Sequence, residues 1–186
     1  HYFMGGIETN LAAQTQIKGL YAAGESANTR VHGANRLGGN SLAECLVFGR
    51  AAGENAVKEA LNGQNQRAIH SSTARKFEDE EKNIEKIFAM RGPEKTAELA
   101  QALQSSNEKN AGIIRSAKSL TEGLNNIAEI KERINQIGFK DSSPIFSSEL
   151  IAYYELCFMT DVSQAVLKSA LKREESRGCH FRSDFP

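Results

Sequence analysis

An arginine set among glycines just ahead of a helix start has the make-up of an anion clamp. Val31-His32-Gly33-Ala34-Asn35-Arg36-Leu37-Gly38-Gly39-Asn40-Ser41-Leu42 is such a segment. Glycines let backbone approach a ligand closely, and the planar guanidinium fork fits a carboxylate through two parallel bonds. The other reading of Arg36 is a surface arginine pairing with a protein carboxylate, or holding the loop through carbonyls. Ser41 and Leu42 supply backbone amides at a helix N-terminus, where partial positive charge favours an anionic atom; the plain alternative is an ordinary capped helix. A second glycine cluster, His1-Tyr2-Phe3-Met4-Gly5-Gly6-Ile7, opens the chain. His1 is a ligand candidate or a strand histidine, and His32 is expected to shape the turn at Gly33. Between the clusters, Gly19-Leu20-Tyr21-Ala22-Ala23-Gly24-Glu25 ends in an acid that is either exposed or accepts ribose hydroxyls, a use known at strand ends of nucleotide-binding folds.

These groups need elements to position them. Residues 1–25 read as short extended pieces joined by turns, with Leu20–Ala23 a short buried strand. A helix is expected from Ser41, because Ser41-Leu42-Ala43-Glu44 has the form of a capping box. Its first half, charged only at Glu44 and Arg50 up to Ala52, predicts deep burial. Gly49 and Gly53 would admit a close neighbour, and Asn62-Gly63 is the expected stop. From Ser71 to Lys172 helix formers dominate, with apolar stripes at helical spacing. The first is Phe77, Ile84, Ile87 and Phe88; a short helix follows over 95–103. The next stripe runs from Ile113 through Leu120, Ile127 and Ile134 to Ile137, and the last is Leu150, Tyr154, Phe158, Val162, Ala165 and Val166. The predicted fold is α+β and mostly α: short strands and a buried helix, then a bundle of three to four helices.

The charge balance, 23 Lys and Arg against 23 Asp and Glu, gives no broad electrostatic attraction to nucleic acid or an acidic membrane surface. Cys45, Cys157 and Cys179 are too far apart for a metal spacing, and are expected to be reduced, mostly buried thiols in a reducing compartment. No apolar run approaches the ~20 residues that span a bilayer. The start at His1 and the abrupt end at Pro186 lead us to expect a piece of a longer protein. Tyr153 and Tyr154 read as core, and 78–82 as a solvated helix face. Arg177, His180 and Arg182 around Gly178 either bind an anion or form a hinge.

Taken together, the three segments of the first quarter resemble one family, the flavoprotein subunit of succinate dehydrogenase and fumarate reductase. Cys45-Leu46-Val47-Phe48-Gly49-Arg50-Ala51-Ala52-Gly53 continues the likeness, and Glu175-Ser176-Arg177-Gly178 with His180-Phe181-Arg182 and Asp184 looks like the segment after that family's helical domain. The resemblance implies substrate binding by His1 and Arg36, and FAD binding by Glu25, Ser41 and Leu42. It implies no catalytic residue here: the proton-donating arginine and the phosphate loop would lie upstream. It divides the chain into residues 1–62, the closing segment of the FAD and substrate region; 68–175, a helical domain; and 176–186, the start of a further segment. The activity implied is interconversion of succinate and fumarate by hydride transfer at FAD, within a respiratory complex. Implied partners are the dicarboxylate, an iron–sulfur subunit and a membrane anchor, with the parent protein cytoplasmic and peripheral on the inner membrane face.

Two alternatives remain at this stage. L-aspartate oxidase uses the same scaffold, and turnover of aspartate would distinguish it. The helical part could also be a protein-docking module with no redox role.

Overall fold

The computed structural model describes residues 2–62, 66–140, 143 and 145–186, without the side chains of 66–74. His1 and Gly63 therefore lie outside the described residues. The chain forms two compact units, residues 1–70 with 177–179, and residues 71–176 with 180–186.

In the first unit, β1 (Ile7–Glu8) and β2 (Ala27–Asn28) pair in parallel, Ile7 opposite Ala27. The expected strand at Leu20–Ala23 does not form; Tyr21 makes only an isolated antiparallel bridge to Gln14. That segment instead folds as turns onto α1 (Gly38–Leu61). Tyr21 donates its hydroxyl proton to Glu59 at 2.6 Å, and Asn55 donates to the Ala12 carbonyl at 3.3 Å. Gly178 completes the unit. At its left-handed φ of 62°, a Cβ would stand 2.0 Å from the Ala34 oxygen, so only glycine fits.

Helix α1 departs from expectation in three ways. It starts at Gly38 with Leu37 as a cap residue that makes no side-chain bond, so the capping box at Ser41 and Glu44 does not exist. Its apolar first half is exposed, with Leu42 at 69% and Leu46 at 67%. Gly49 and Gly53 meet no close neighbour among the described residues. Burial needs an opposing surface, and the 12–26 turns cover one side only. The one buried residue of α1 is a carboxylate, Glu44.

The second unit is the helical one. It contains α2 (Gln66–Phe88) from Ser71 onward, α3 (Thr96–Ala111), α4 (Ala117–Ile134) and α5 (Ser148–Lys172). Leu99 and Leu103 of α3, Leu120, Ile127 and Ile130 of α4, and Leu156 and Leu167 of α5 form the core. Ile87 and Phe88 close it from the end of α2. Gly123 lets α4 approach its neighbours: a Cβ there would be 2.9 Å from Asn110 Cβ and 3.1 Å from Leu167 Cδ2. Phe139 meets Phe88 and Tyr153 edge to face at 5.8 and 5.6 Å. Tyr154 is half-buried and donates to Glu80; burial, reinforced by that carboxylate, pushes its phenol up to about 12.

Three details of the helical stripes differ from the sequence reading. α3 runs eight residues past the expected end at Leu103, to Ala111. Ile113 is exposed because α4 begins only at Ala117, capped by Ser116 and Ser119 in a reciprocal box. On α5, Phe158, Val162 and Val166 face outward, and the buried line is Leu156, Thr160, Leu167 and Ala170. α5 is apolar on more than one side, so periodicity alone does not select the face that packs. The thiols also differ from expectation: Cys45 and Cys179 are exposed and Cys157 is half-buried, none in a disulfide.

The end of the chain ties the bundle's helix termini together. β3 (Ile114–Arg115) pairs in parallel with β4 (Phe181–Arg182). Arg182, 1% exposed, donates Nη1 to the carbonyls of Ala170, Leu171 and Arg173 at the end of α5, where helix carbonyls lack intrahelical partners. Its Nε and Nη2 take both oxygens of Asp184 at 2.8 Å, and Asp184 accepts the Ala117 N–H at the start of α4. Arg182 is thus a helix cap and is not available to an external anion.

His180 is equally committed. Arg115 Nη1 can only donate to Nδ1 at 3.0 Å, so the ring proton sits on Nε2 and is donated to the Arg173 carbonyl at 3.1 Å. Burial pushes the imidazole below its ordinary value, and Arg115 acts in the same direction, while the Arg173 carbonyl opposes both. Asp184 is also held low, chiefly by its bonds to Arg182. Both folded values are depressed, so stability is full above the unfolded values and is lost as pH falls. Melting temperature is expected to hold steady above about pH 7, to fall below the ordinary histidine value of about 6.5, and to fall again below about 4 as Asp184 is protonated. Thermal melts from pH 8 to 3 check this, with His180→Gln removing the first step and leaving the second.

Candidate functional site

The candidate residues other than His1 lie in the first unit, and of these Arg36 touches Ser41. The segment after His1 runs beside the arginine loop: the Tyr2 hydroxyl donates to Asn35 Oδ1 at 2.9 Å, and the Arg36 N–H donates to Met4 Sδ at 2.8 Å. Arg36 itself is 4% exposed. Its Nε donates to Ser41 Oγ at 2.8 Å and its Nη2 to Glu44 Oε2 at 2.5 Å. Placing Ser41 and Glu44 one helical turn apart on α1 brings both oxygens to one edge of the guanidinium.

His32 approaches the same carboxylate oxygen, Nε2 3.4 Å from Glu44 Oε2, with no well-directed hydrogen bond. Glu44 Oε1, His32 Nδ1 and Thr29 Oγ1 are buried with no hydrogen-bond partner among the described residues. Buried polar atoms usually find partners, and His32 and Thr29 lie on the wall of one small hollow where a ligand would meet them. Arg36, His32, Thr29, Phe3 and Met4 line a small hollow. A hollow walled by a fixed arginine and unsatisfied polar groups suits a small anion.

The sequence-predicted residues fall as follows. Arg36 and Ser41 are in direct contact. The Ser41 N–H is used inside the helix, on the Leu37 carbonyl at 3.1 Å, so the open amides at the start of α1 are earlier, at Gly38 and Gly39. Leu42 is exposed on that first turn and a half. Glu25 is exposed and accepts the Phe3 N–H at 2.5 Å, which ties it to the first cluster. Glu44 and His32 were not singled out as site residues. Glu44 carried a legible signal, being the one acid in the apolar run from Leu42 to Phe48. His32 and Thr29 carried none beyond their place in the loop.

Comparison with known proteins agrees along the chain. A family described as fumarate reductase flavoprotein C-term matches residues 100–186, and one described as FAD binding domain matches residues 1–42. The fumarate reductase flavoprotein subunit of Proteus vulgaris is 41% identical over 186 residues, covering 99% of this chain and 30% of that protein. The succinate dehydrogenase flavoprotein subunit of Rickettsia conorii is 35% identical, covering 100% and 32%. Among solved structures, a point variant of FrdA from Escherichia coli quinol fumarate reductase superposes with a TM-score of 0.90 at 37% identity, over 99% of this chain and 31% of the other. The chain belongs to the succinate dehydrogenase and fumarate reductase flavoprotein family. It spans about a third of the length of these relatives.

Proposed function

We propose that this chain is part of an FAD-dependent oxidoreductase interconverting succinate and fumarate, the flavoprotein subunit of a respiratory complex. The observation that carries the reading is Arg36, buried, fixed along one edge and lining a small hollow. Residues 1–62 are the closing segment of the flavin and substrate region, 68–175 the helical domain and 176–186 the start of a further segment.

Arg36 holds one substrate carboxylate and His1 the other, so the central carbons are oriented for reaction. The bonds that Tyr2 donates to Asn35 and that Arg36 N–H donates to Met4 support His1 in that role, since residues next to it in sequence lie along the arginine loop. The residues present fit a flavin: a Cβ added at Gly38 or Gly39 would meet open space, so a planar ring can approach the helix start. Ser41 and Leu42 present that helix end to the flavin, where its partial positive charge favours negative charge developing on the ring. Glu25 accepts from FAD hydroxyls. When bound, FAD supplies hydride exchange with the dicarboxylate. The proton is exchanged by an arginine of the parent protein outside these 186 residues. An iron–sulfur subunit and a membrane anchor complete the complex, with the flavoprotein peripheral on the inner membrane face. Among the described residues, no helix is long and apolar enough to cross a membrane.

The residues here form one wall of the flavin site and include no Gly-x-Gly-x-x-Gly loop to hold a pyrophosphate. The 186-residue chain by itself is expected to bind FAD weakly or not at all, whereas the parent protein carries FAD and reduces fumarate. Flavin absorbance after purification, with a fumarate assay on the parent, checks both halves. Stoichiometric flavin on the short chain, or a parent that turns over aspartate and not fumarate or succinate, overturns the reading.

A further inference from the structure

We infer that Glu44 is a positioning residue for the dicarboxylate, acting through Arg36. This rests on the reading of Arg36 as the substrate clamp. Glu44 is the one fully buried residue of α1, and burying a carboxylate unpaired would be costly. Its Oε2 takes Arg36 Nη2 at 2.5 Å, while Ser41 Oγ takes Nε at 2.8 Å. Nε and Nη2 form one edge of the rigid planar fork, and both acceptors are carried by α1. That edge is bound to the helix, so a ligand carboxylate meets the Nη1–Nη2 end, at an angle set by α1.

The arrangement has two opposite consequences for substrate. Glu44 fixes the direction in which Arg36 donates, which favours the reactive alignment. It also neutralises much of the arginine's charge, which weakens attraction for a dianion. His32 Nε2 lies 3.4 Å from the same oxygen. A scaffold salt bridge predicts neither a fall in turnover nor a gain in anion binding on loss of the Glu44 charge. The positioning role predicts both together.

The test uses the full-length FAD-loaded parent carrying Glu44→Gln, Glu44→Asp or Arg36→Lys. Activities are normalised to flavin, and binding of malonate, an unreactive dicarboxylate, is followed by flavin absorbance. Glu44→Gln keeps the shape but exchanges the ion pair for a weaker bond from the guanidinium to a neutral amide oxygen, so kcat is expected to fall roughly tenfold. Kd for malonate falls, with KM for fumarate following it, and Glu44→Asp restores part of kcat. Unchanged kcat in Glu44→Gln beside an impaired Arg36→Lys overturns the positioning role and leaves the clamp standing. Unchanged kinetics in Arg36→Lys overturns the clamp and this inference with it. Loss of flavin or of cooperative melting in both Glu44 variants assigns Glu44 to the scaffold and also overturns the inference.

Discussion

Arg36→Lys in the full-length protein is expected to lower kcat/KM for fumarate by about one to two decades while leaving flavin content near normal. Lysine keeps the positive charge that Glu44 faces, but it is a point donor without the fork that reaches Ser41, Glu44 and a ligand together. The loss of one charge-assisted bond, roughly 1.5–3 kcal/mol, sets that range. Arg36→Ala is expected to be worse for two reasons at once. It removes the clamp, and it leaves the Glu44 carboxylate buried without its partner, which is itself destabilising by about 3–5 kcal/mol. Arg36→Lys is therefore the cleaner measurement. Steady-state dicarboxylate kinetics, taken alongside flavin occupancy and a thermal melt, checks it. Unchanged kinetics, or activity lost only in proportion to flavin, would move Arg36 from the substrate to the scaffold.

Arg182→Leu is expected to be the most destabilising single change in the helical unit. The Ala170 and Leu171 carbonyls at the end of α5 lose their donor, the Arg173 carbonyl keeps only His180, and Asp184, which accepts from the start of α4, loses both bonds to Arg182. Acceptors left unmade cost about 1 kcal/mol or more each, so the two carbonyls together with Asp184 give about 3 kcal/mol. For a chain of this size that is a fall in melting temperature of roughly 6–12 °C. Arg182→Lys should recover only part, because an ammonium cannot span three carbonyls and both carboxylate oxygens. Melting of the 186-residue chain followed by circular dichroism measures it. A shift below about 2 °C for Arg182→Leu would mean that the end of α5 is satisfied by other groups.

The two arginines were not equally legible in the sequence. Arg36 stood out because glycines and a helix start surround it, and such surroundings are required wherever backbone must approach a ligand. Arg182 sits in a charged stretch, Glu174 to Asp184, that could equally have bound an external anion. Only the fold brings the end of α5, 9 to 12 residues away in sequence, within reach of its guanidinium. Ser41 and Glu44 make the same point differently. Their spacing is that of a capping box, and a helix does run through both, but it begins three residues earlier, at Gly38. With the first turn displaced, both side chains point away from the free amides and close on Arg36.

By itself, the sequence determined the elements that depend on local periodicity and the order of its motifs. These were a mostly helical second part, short strands and turns ahead of one long helix, an arginine loop before that helix, and through the motifs the flavoprotein family. What it could not determine was which faces pack. Leu42 and Leu46 are as apolar as Leu120 and Leu156, yet the first pair is exposed and the second pair is core. Side-chain chemistry states only what burial would be worth; whether another surface arrives to bury it is a property of the whole fold. The tertiary structure alone therefore selected the buried face of α5, turned Arg182 into a cap, and gave Arg36 its buried carboxylate.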